Sequence, residues 1–290
     1  IKEENSLTSD FSLRKVSAYK NIYLQYRGKF DRQSRNLFKS YMNRYVHSLL
    51  DAHSCDTKID VVEILIAIES IKNNLNLNEK TVLHFASNFS SPSETFIYDL
   101  LCSLDQVSGY NNYILCDQRL MEKERRFDKV IEIPWHEMKS DRVKERLYLY
   151  LFNEIMPHVI IGHFMLNSWK IWQRLKEINI EIPTIHMTHG IDVFSLSTNR
   201  EYREFVLKYF NDNPRHHFTT VSKYLKENLI KRGINEQQIG LIYNSANNSF
   251  FKNRKKRYFK KGDKLKIINV GRLIQLKGHI FLLEALKNFI

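Results

Sequence analysis

The stretch that decides the fold is Thr184-Ile185-His186-Met187-Thr188-His189-Gly190-Ile191-Asp192. It follows Pro183 and opens with two β-branched residues, a pattern that predicts a buried parallel strand ending in a His-Gly turn. In open α/β sheets, ligands bind in the crevice outside the carboxyl ends of such strands. His189 is therefore the first candidate for chemistry, although most His-Gly turns at strand ends are hydrogen-bonded structural turns.

The two residues that shape this turn have different roles. Gly190 allows the backbone to turn sharply and to pass close to a ligand. Asp192 has two roles open to it: binding a ligand hydroxyl, or capping the helix predicted at residues 200–211.

Composition predicts a globular chain that meets anionic partners. Its 290 residues are 43% hydrophobic, which supports one large or two ordinary domains. The formal charge of +13 favours nucleic acid, an anionic lipid surface or a phosphorylated substrate without choosing among them. Three cysteines without a Cys-x-x-Cys spacing indicate a reducing compartment. The longest apolar run, Ile64 to Ile68, is far short of the ~20 residues that cross a bilayer, so we expect a cytoplasmic protein.

Residues 1–78 are predicted to form a helical N-terminal extension, because apolar side chains recur at helical spacing from Phe11 to Leu75. Aromatic and basic residues are interleaved there, as on a face that binds nucleic acid or an anionic membrane. The solvated basic sides of ordinary packed helices explain the same pattern and are more common.

Residues 79–251 alternate between strand and helix patterns, which predicts a doubly wound, Rossmann-like α/β domain. Strands are predicted at 81–86, 112–116, 129–133, 159–162, from 184, at 217–221 and at 239–242. Helices are predicted from about 94 and at 141–156, 166–178, 200–211 and 223–232. Ser93 and Ser222 are the expected N-caps of the first and last of these helices.

A basic linker at 252–264 precedes a second unit at 265–290. This unit begins with a predicted strand, Leu265 to Val270, and continues through Gly271-Arg272 and Lys277-Gly278 into a helix. A forked guanidinium, a lysine and a helix N-terminus together suit a phosphate group. Two basic residues in a solvated loop are an equally good explanation of this stretch alone.

Several of these stretches, in order, resemble the family-4 glycosyltransferases of the GT-B fold, especially those that assemble exopolysaccharide and colanic-acid-like polymers. The resemblance covers residues 81–290, and the matching segments are Ser91-Pro92-Ser93-Glu94-Thr95-Phe96-Ile97, Gly162-His163-Phe164, Thr188-His189-Gly190-Ile191-Asp192, Thr220-Val221-Ser222-Lys223-Tyr224-Leu225 and Val270-Gly271-Arg272-Leu273 with Lys277-Gly278.

The resemblance implies a retaining, metal-independent hexosyltransferase that needs no cofactor. It would move a sugar from a nucleotide diphosphate sugar to a lipid-linked or saccharide acceptor, and would work in the cytoplasm or peripherally on the inner face of the membrane. By resemblance, His189 would lie beside the sugar, while Gly271, Arg272 and Lys277 would hold the donor phosphates. The acceptor side of the cleft would be formed by Ser93, Glu94, Thr95, His163, Asp192 and Ser222.

The sequence departs from the family pattern at three points. Asn244-Ser245-Ala246-Asn247 stands where the family has Asn-Gly-Val-Asp, and His158 stands where an Asp is usual. The chain also ends before the Glu-x7-Glu segment, so we expect a fragment with half a donor site, without turnover. Two other functions stay open from sequence: a nucleotide-sugar epimerase of the same fold, and a non-catalytic basic module for nucleic acid or anionic membrane.

Overall fold

The chain divides into two compact units, Ile1–Ala246 and Asn247–Ile290, and each is described here by itself. In the first unit, the computed structural model describes residues 78–138, 154–177 and 180–245, with positions 64, 68, 75, 144, 147, 148, 151 and 152. In the second it describes positions 262 and 264 and residues 266–287. Most of the predicted N-terminal extension and of the basic linker lies outside the described residues.

The first unit contains a seven-stranded parallel sheet. Its strands are β1 Lys80–Phe89, β2 Tyr110–Arg119, β3 Val130–Glu132, β4 Val159–His163, β5 Thr184–Thr188, β6 His216–Thr220 and β7 Ile239–Leu241. Every neighbouring pair is parallel, and the strand order is β3-β2-β1-β4-β5-β6-β7. This is the doubly wound, Rossmann-like α/β architecture that the sequence predicts.

Helices connect the strands, as parallel pairing requires. They are α1 Thr95–Leu104, α2 Met165–Glu177, α3 Ile191–Thr198, α4 Arg200–Tyr209 and α5 Lys223–Lys231, with α6 His279–Lys287 in the second unit. Short 3-10 turns lie at Glu236–Gln238 and Gln275–Lys277. The described residues between positions 144 and 155 are helical as well, within the helix predicted at 141–156. Of the α-helices named here, α3 is the one that the sequence patterns did not predict, and the two 3-10 turns were not predicted either.

Both faces of the sheet are buried against helices, and alternate residues of a strand point to opposite faces. In β1, Leu83 and Phe85 belong to the larger apolar cluster, whereas Ala86, which points to the other face, belongs to a smaller one. The larger cluster includes residues of α2, and the smaller cluster includes Ile97 and Leu101 of α1. Each fully buried aliphatic or aromatic side chain contributes about 1.5–3 kcal/mol to folding.

The strand order reverses between β1 and β4, and this reversal fixes where a ligand can bind. From β1 the chain moves outward to β2 and β3, then returns to β4 on the other side of β1. The loops that leave the carboxyl ends of β1 and β4 therefore turn to opposite faces and leave a crevice between them. The loop after β5 borders the same edge, because β5 pairs directly with β4.

One predicted element does not form. Residues 266–270 were expected to be a strand, but they have no ladder partner among the described residues, and Ile268 and Val270 are almost fully exposed. A strand requires a neighbour to satisfy its backbone groups, so an apolar, β-branched run is not sufficient. The helix predicted after Gly278 does form, as α6. No helix in the described part of the chain combines the length and the apolar character that a membrane span requires.

Candidate active site

His189 lies at the carboxyl edge of the sheet, directly after β5, among three other aromatic rings. Its ring centroid is 4.5 Å from that of Phe96 and 4.6 Å from that of Phe164. The ring of His163 is nearly parallel to it at 6.1 Å. Phe96 comes from α1, and Phe164 follows β4 immediately. The structure thus brings together at His189 the segments that follow β1, β4 and β5, the three strands at the reversal.

The imidazole of His189 makes no hydrogen bond within the described part of the chain. Both ring nitrogens are shielded from solvent and have no partner there. Burial lowers the pKa of His189 to about 4, so the ring is neutral at pH 7. A neutral imidazole donates from one nitrogen and accepts at the other. Buried polar atoms are normally paired, and a hydroxyl of a bound ligand could pair with either nitrogen.

Asp192 holds the backbone of the His-Gly turn. Its carboxylate accepts hydrogen bonds from the backbone N–H groups of His189 (3.0 Å), Gly190 (2.9 Å) and Val193 (3.2 Å). Gly190 has φ 127°, a value that residues with a side chain rarely adopt. Burial raises the pKa of Asp192 to about 6, while the N–H donors oppose that rise.

The prediction that Asp192 caps the helix at 200–211 is wrong, because that helix begins at Arg200 and is capped by Asn199, which accepts the N–H of Tyr202. Asp192 lies in the first turn of α3, whose cap position is Gly190, and its carboxylate holds the turn before that helix. The side chain of Asp192 is fully buried, and its place on the acceptor side of a cleft stays a prediction.

The side chain of His163 is completely buried, with its ring stacked on that of His189, and its place in a cleft stays a prediction. Its Nε2 lies 3.2 Å from Nδ1 of His84, in the middle of β1. Nε2 of His84 lies 3.3 Å from Oδ1 of Asn112, on β2. His84 and Asn112 are buried as well. We call these three side chains the histidine file.

Ser93, Glu94 and Thr95 lie in the loop and first turn that lead from β1 into α1, next to Phe96. Ser93 and Thr95 are exposed, and the N–H of Glu94 donates to the carbonyl of Ser91 at 3.1 Å. The prediction that Ser93 caps α1 is wrong, because Glu94 occupies the cap position and makes no side-chain capping bond there.

Two further observations concern the same edge. Ser222 caps α5 as predicted, by accepting the N–H of Leu225 at 3.2 Å. Ser90 and Phe164, which follow β1 and β4, have φ values of 62° and 55°. Such left-handed conformations are strained for a bulky residue and concentrate at functional sites.

The predicted phosphate-binding segment of the second unit has a defined local structure. The carbonyl of Arg272 accepts a hydrogen bond from Nε2 of His279 at 2.8 Å, and Nδ1 of the same ring lies 2.9 Å from the side-chain nitrogen of Asn269. His279 is the first residue of α6 and thus ties the Gly271-Arg272 turn to the N-terminus of that helix. The side chains of Arg272 and Lys277 are exposed. Among the described residues, no group of three or more His, Cys, Asp or Glu side chains is placed to hold a metal ion.

The structure adds four residues to those singled out from sequence: His84, Phe96, Asn112 and His279. A histidine inside the apolar run of β1 was a visible signal for His84, since imidazole is unusual there. Asn112 and His279 carried no signal of their own, and Phe96 was seen only as a member of a motif. Ser222 was also expected in the cleft with His189, but no contact between Ser222 and the His189 ring is found in the described part of the chain.

Comparison with known proteins identifies the family. Residues 93–249 match the model of Glycosyltransferase Family 4, which covers more than half of the chain and includes His163, His189 and Asp192. The chain therefore belongs to Glycosyltransferase Family 4. The match begins in the loop before α1 and ends before the Gly271 turn.

Other comparisons add little. A comparison with curated proteins finds no match. Among solved structures, the chain is similar to a crystal structure of UDP-N-acetylglucosamine 2-epimerase, with 12% identity and a TM-score of 0.41. The aligned region covers 63% of this chain and 53% of that one, so the chain spans about half the length of that protein. So distant a likeness carries no argument about function.

Proposed function

We propose that this family-4 chain acts in a retaining, metal-independent transfer of a hexose from a nucleotide diphosphate sugar to a lipid-linked or saccharide acceptor during polysaccharide biosynthesis. The observation that carries the proposal is His189. It lies within the residues that match the family, at the carboxyl edge of the sheet, and both of its ring nitrogens lack a partner in the described part of the chain.

The proposed role of His189 is to bind a sugar hydroxyl. With its pKa lowered to about 4 by burial, the ring is a weak base at neutral pH. A neutral ring is suited to donate a hydrogen bond to a sugar oxygen or to accept one from a hydroxyl. We therefore assign His189 to orienting the sugar by a hydrogen bond and not to abstracting a proton, because a general base works best when its pKa is near the working pH.

The proposed role of Arg272 and Lys277 is to stabilise the leaving diphosphate. As the glycosidic bond breaks, negative charge builds up on the phosphate oxygens. Fixed positive groups and helix N-terminal N–H groups stabilise that charge more in the transition state than in the ground state. Three features of the second unit support this role: both side chains are exposed, both residues precede the start of α6, and His279 holds the backbone of Arg272.

Attachment to the inner face of a membrane is the proposed location, and it rests on the net charge of +13. Each basic residue near an anionic surface adds about 1 kcal/mol of attraction, which salt screens. Co-sedimentation with liposomes should therefore increase with anionic lipid content and decrease with ionic strength. Binding that ignores both variables would remove this part of the proposal.

The test of the transferase proposal is a binding titration at physiological salt with a panel of nucleotide diphosphate sugars, beside an oligonucleotide of matched charge. We expect one nucleotide diphosphate sugar to bind, its free nucleoside diphosphate to compete, and the oligonucleotide to bind less. Tighter binding of the oligonucleotide would favour the non-catalytic basic module. Conversion of the bound sugar to its epimer without any acceptor would favour the epimerase, although the family match supports a transferase.

A pair of lysine variants provides the matched control for this titration. Lys277→Ala should weaken nucleotide binding, because Lys277 immediately precedes the start of α6. Lys287→Ala should not, because Lys287 is the last residue of α6, about 12 Å further along its axis. Both lysines are exposed and carry the same charge. If the two variants weaken binding equally, nucleotide binding depends on net charge and not on the position of Lys277.

A further inference from the structure

The ring of His189 is oriented by packing, because it makes no hydrogen bond within the described part of the chain. The described rings nearest to it are Phe96, Phe164 and His163. Because no hydrogen bond restrains the His189 imidazole there, a small shift in the position of these rings is sufficient to rotate it. A group that must meet a ligand atom needs supporting residues that are themselves fixed.

Of these three rings, His163 is held by a hydrogen bond within the sheet. Its Nε2 pairs with Nδ1 of His84 at 3.2 Å, and the two rings are stacked with an interplanar angle of 15°. His163 is followed directly by Phe164, whose N–H donates to the carbonyl of Met187 at 3.1 Å and whose φ is 55°. The position of His163 thus bears on two of the three rings that contact His189.

The hydrogen bonds of the histidine file have one direction. Oδ1 of Asn112 can only accept, so Nε2 of His84 carries the proton that it receives. Nδ1 of a neutral His84 is then an acceptor, and Nε2–H of His163 must donate to it. Each ring is thereby restricted to one tautomer, with the proton on Nε2.

Packing alone does not account for this file. Nδ1 of His163 and Nδ2 of Asn112 are buried without a partner in the described residues, and apolar side chains of similar size would avoid both losses. The unpaired atoms of the histidine file lower the stability of the fold in the part of the sheet that lies directly behind His189. Buried polar atoms without hydrogen-bond partners are expected where a site has to be held in one geometry.

We propose that His163 is a positioning residue for His189, and that His84 and Asn112 hold His163 in place through the buried histidine file. The inference rests on the proposed function only in that His189 belongs to the transferase site. The orientation of the ring itself is a property of the free protein, and so it can be tested without any nucleotide or sugar.

Two variants of His84 separate positioning from a merely structural role. The amide of asparagine ends near the place of the imidazole Nδ1, so His84→Asn keeps an acceptor for His163 and loses the bond to Asn112. The longer glutamine reaches the place of Nε2, so His84→Gln keeps the bond to Asn112 and leaves His163 unpaired. Each variant removes the imidazole and one of its two hydrogen bonds, so the two are matched in the interactions they lose.

The measurement is nitrogen-detected NMR of the histidine rings in the ligand-free chain. We expect His84→Asn to leave the His189 ring signals at their wild-type positions, and His84→Gln to shift or double them. Equal perturbation of His189 by both variants, or by neither, would overturn the proposal.

Wild-type protein provides a second measurement that depends on no variant. His84 and His163 should each show a single tautomer protonated on Nε2, and a mixture of tautomers in either ring would also overturn the proposal. The transferase proposal fails separately, through the absence of nucleotide sugar binding, so the two failures can be told apart.

Discussion

Acidification should destabilise the first unit, and His84 is the residue at which this effect can be measured most cleanly. Burial lowers the pKa of His84 to about 4 in the folded chain, against 6.5 for the unfolded chain, while its bond to Asn112 opposes the shift. Because the folded value is depressed, the unfolded state binds the proton first as the pH falls. Stability is therefore complete above pH 6.5 and is lost progressively down to about pH 4.

The size of the effect follows from these two values. At pH 5.0 the unfolded ring is almost fully protonated, whereas the folded ring is about one tenth protonated. The free energy of unfolding therefore falls by about 2 kcal/mol between pH 7.5 and pH 5.0 through this residue alone. Asp192 acts in the opposite direction, because its pKa is raised to about 6, so the comparison has to be made between variants rather than on the wild type alone.

The assay is urea unfolding at pH 7.5 and 5.0, followed by tryptophan fluorescence. All three tryptophans, Trp135, Trp169 and Trp172, are buried in the first unit, so the signal reports that unit. His84→Gln removes the titrating group, and its loss of stability between the two pH values should be smaller than that of the wild type by about 2 kcal/mol. His217→Gln, at an exposed position, should change nothing. Equal losses in His84→Gln and wild type would refute the reasoning.

Three further outcomes concern individual residues of the two units. Gly190→Ala should lower the free energy of unfolding by about 1–3 kcal/mol through its φ of 127° alone, since a Cβ there would touch nothing. Gly240→Ala, where a Cβ would make ordinary contact with Thr219, is its control, and equal losses would contradict the argument from φ. Asp192→Ala should lower the free energy of unfolding by about 3 kcal/mol, because three backbone N–H groups lose their acceptor. Asp192→Asn should lower it less. A loss below 1 kcal/mol for Asp192→Ala in urea unfolding would count against that role. In a sugar-transfer assay on a longer version of the protein that includes the Glu-x7-Glu segment, Arg272→Ala should lower kcat about 100-fold to 1000-fold. Arg272→Lys should rescue little, because it keeps the charge but loses the planar fork, and an unchanged kcat in Arg272→Ala would remove Arg272 from the mechanism.

Local patterns were sufficient to predict most of the sheet. Parallel strands buried on both faces are continuous apolar runs, and such runs in β1, β4 and β5 were recognisable by length and β-branching. The strand at 266–270 failed for the complementary reason, since strand pairing depends on a partner that the run itself does not contain. Helix α3 was missed because Ile191–Thr198 ends in serine and threonine residues, which compete with the backbone for hydrogen bonds.

The candidate site was only partly predictable, because its key contacts join distant positions. His189 and Asp192 were recognised from one turn, and the hydrogen bond that joins them is local. The contact between His84 and His163 spans 79 residues and depends on β1 and β4 being neighbours, a consequence of strand order rather than of any motif. The family resemblance assigned His163 to the cleft, whereas its burial between the rings of His84 and His189 follows from the tertiary fold.

The measurement that tests the central claim most directly is a titration of the isotope-labelled chain with nucleotide diphosphate sugars and saccharide acceptors, read at the ring nitrogens of His189. We expect at least one member of the panel to shift these signals saturably, because both ring nitrogens of His189 are buried without a partner in the described part of the chain. The exposed ring of His217 should not shift, and His189→Phe should weaken binding of that ligand while the fold is retained. If no sugar compound moves His189, or if His189→Phe binds the ligand as tightly as the wild type, His189 does not contact the sugar.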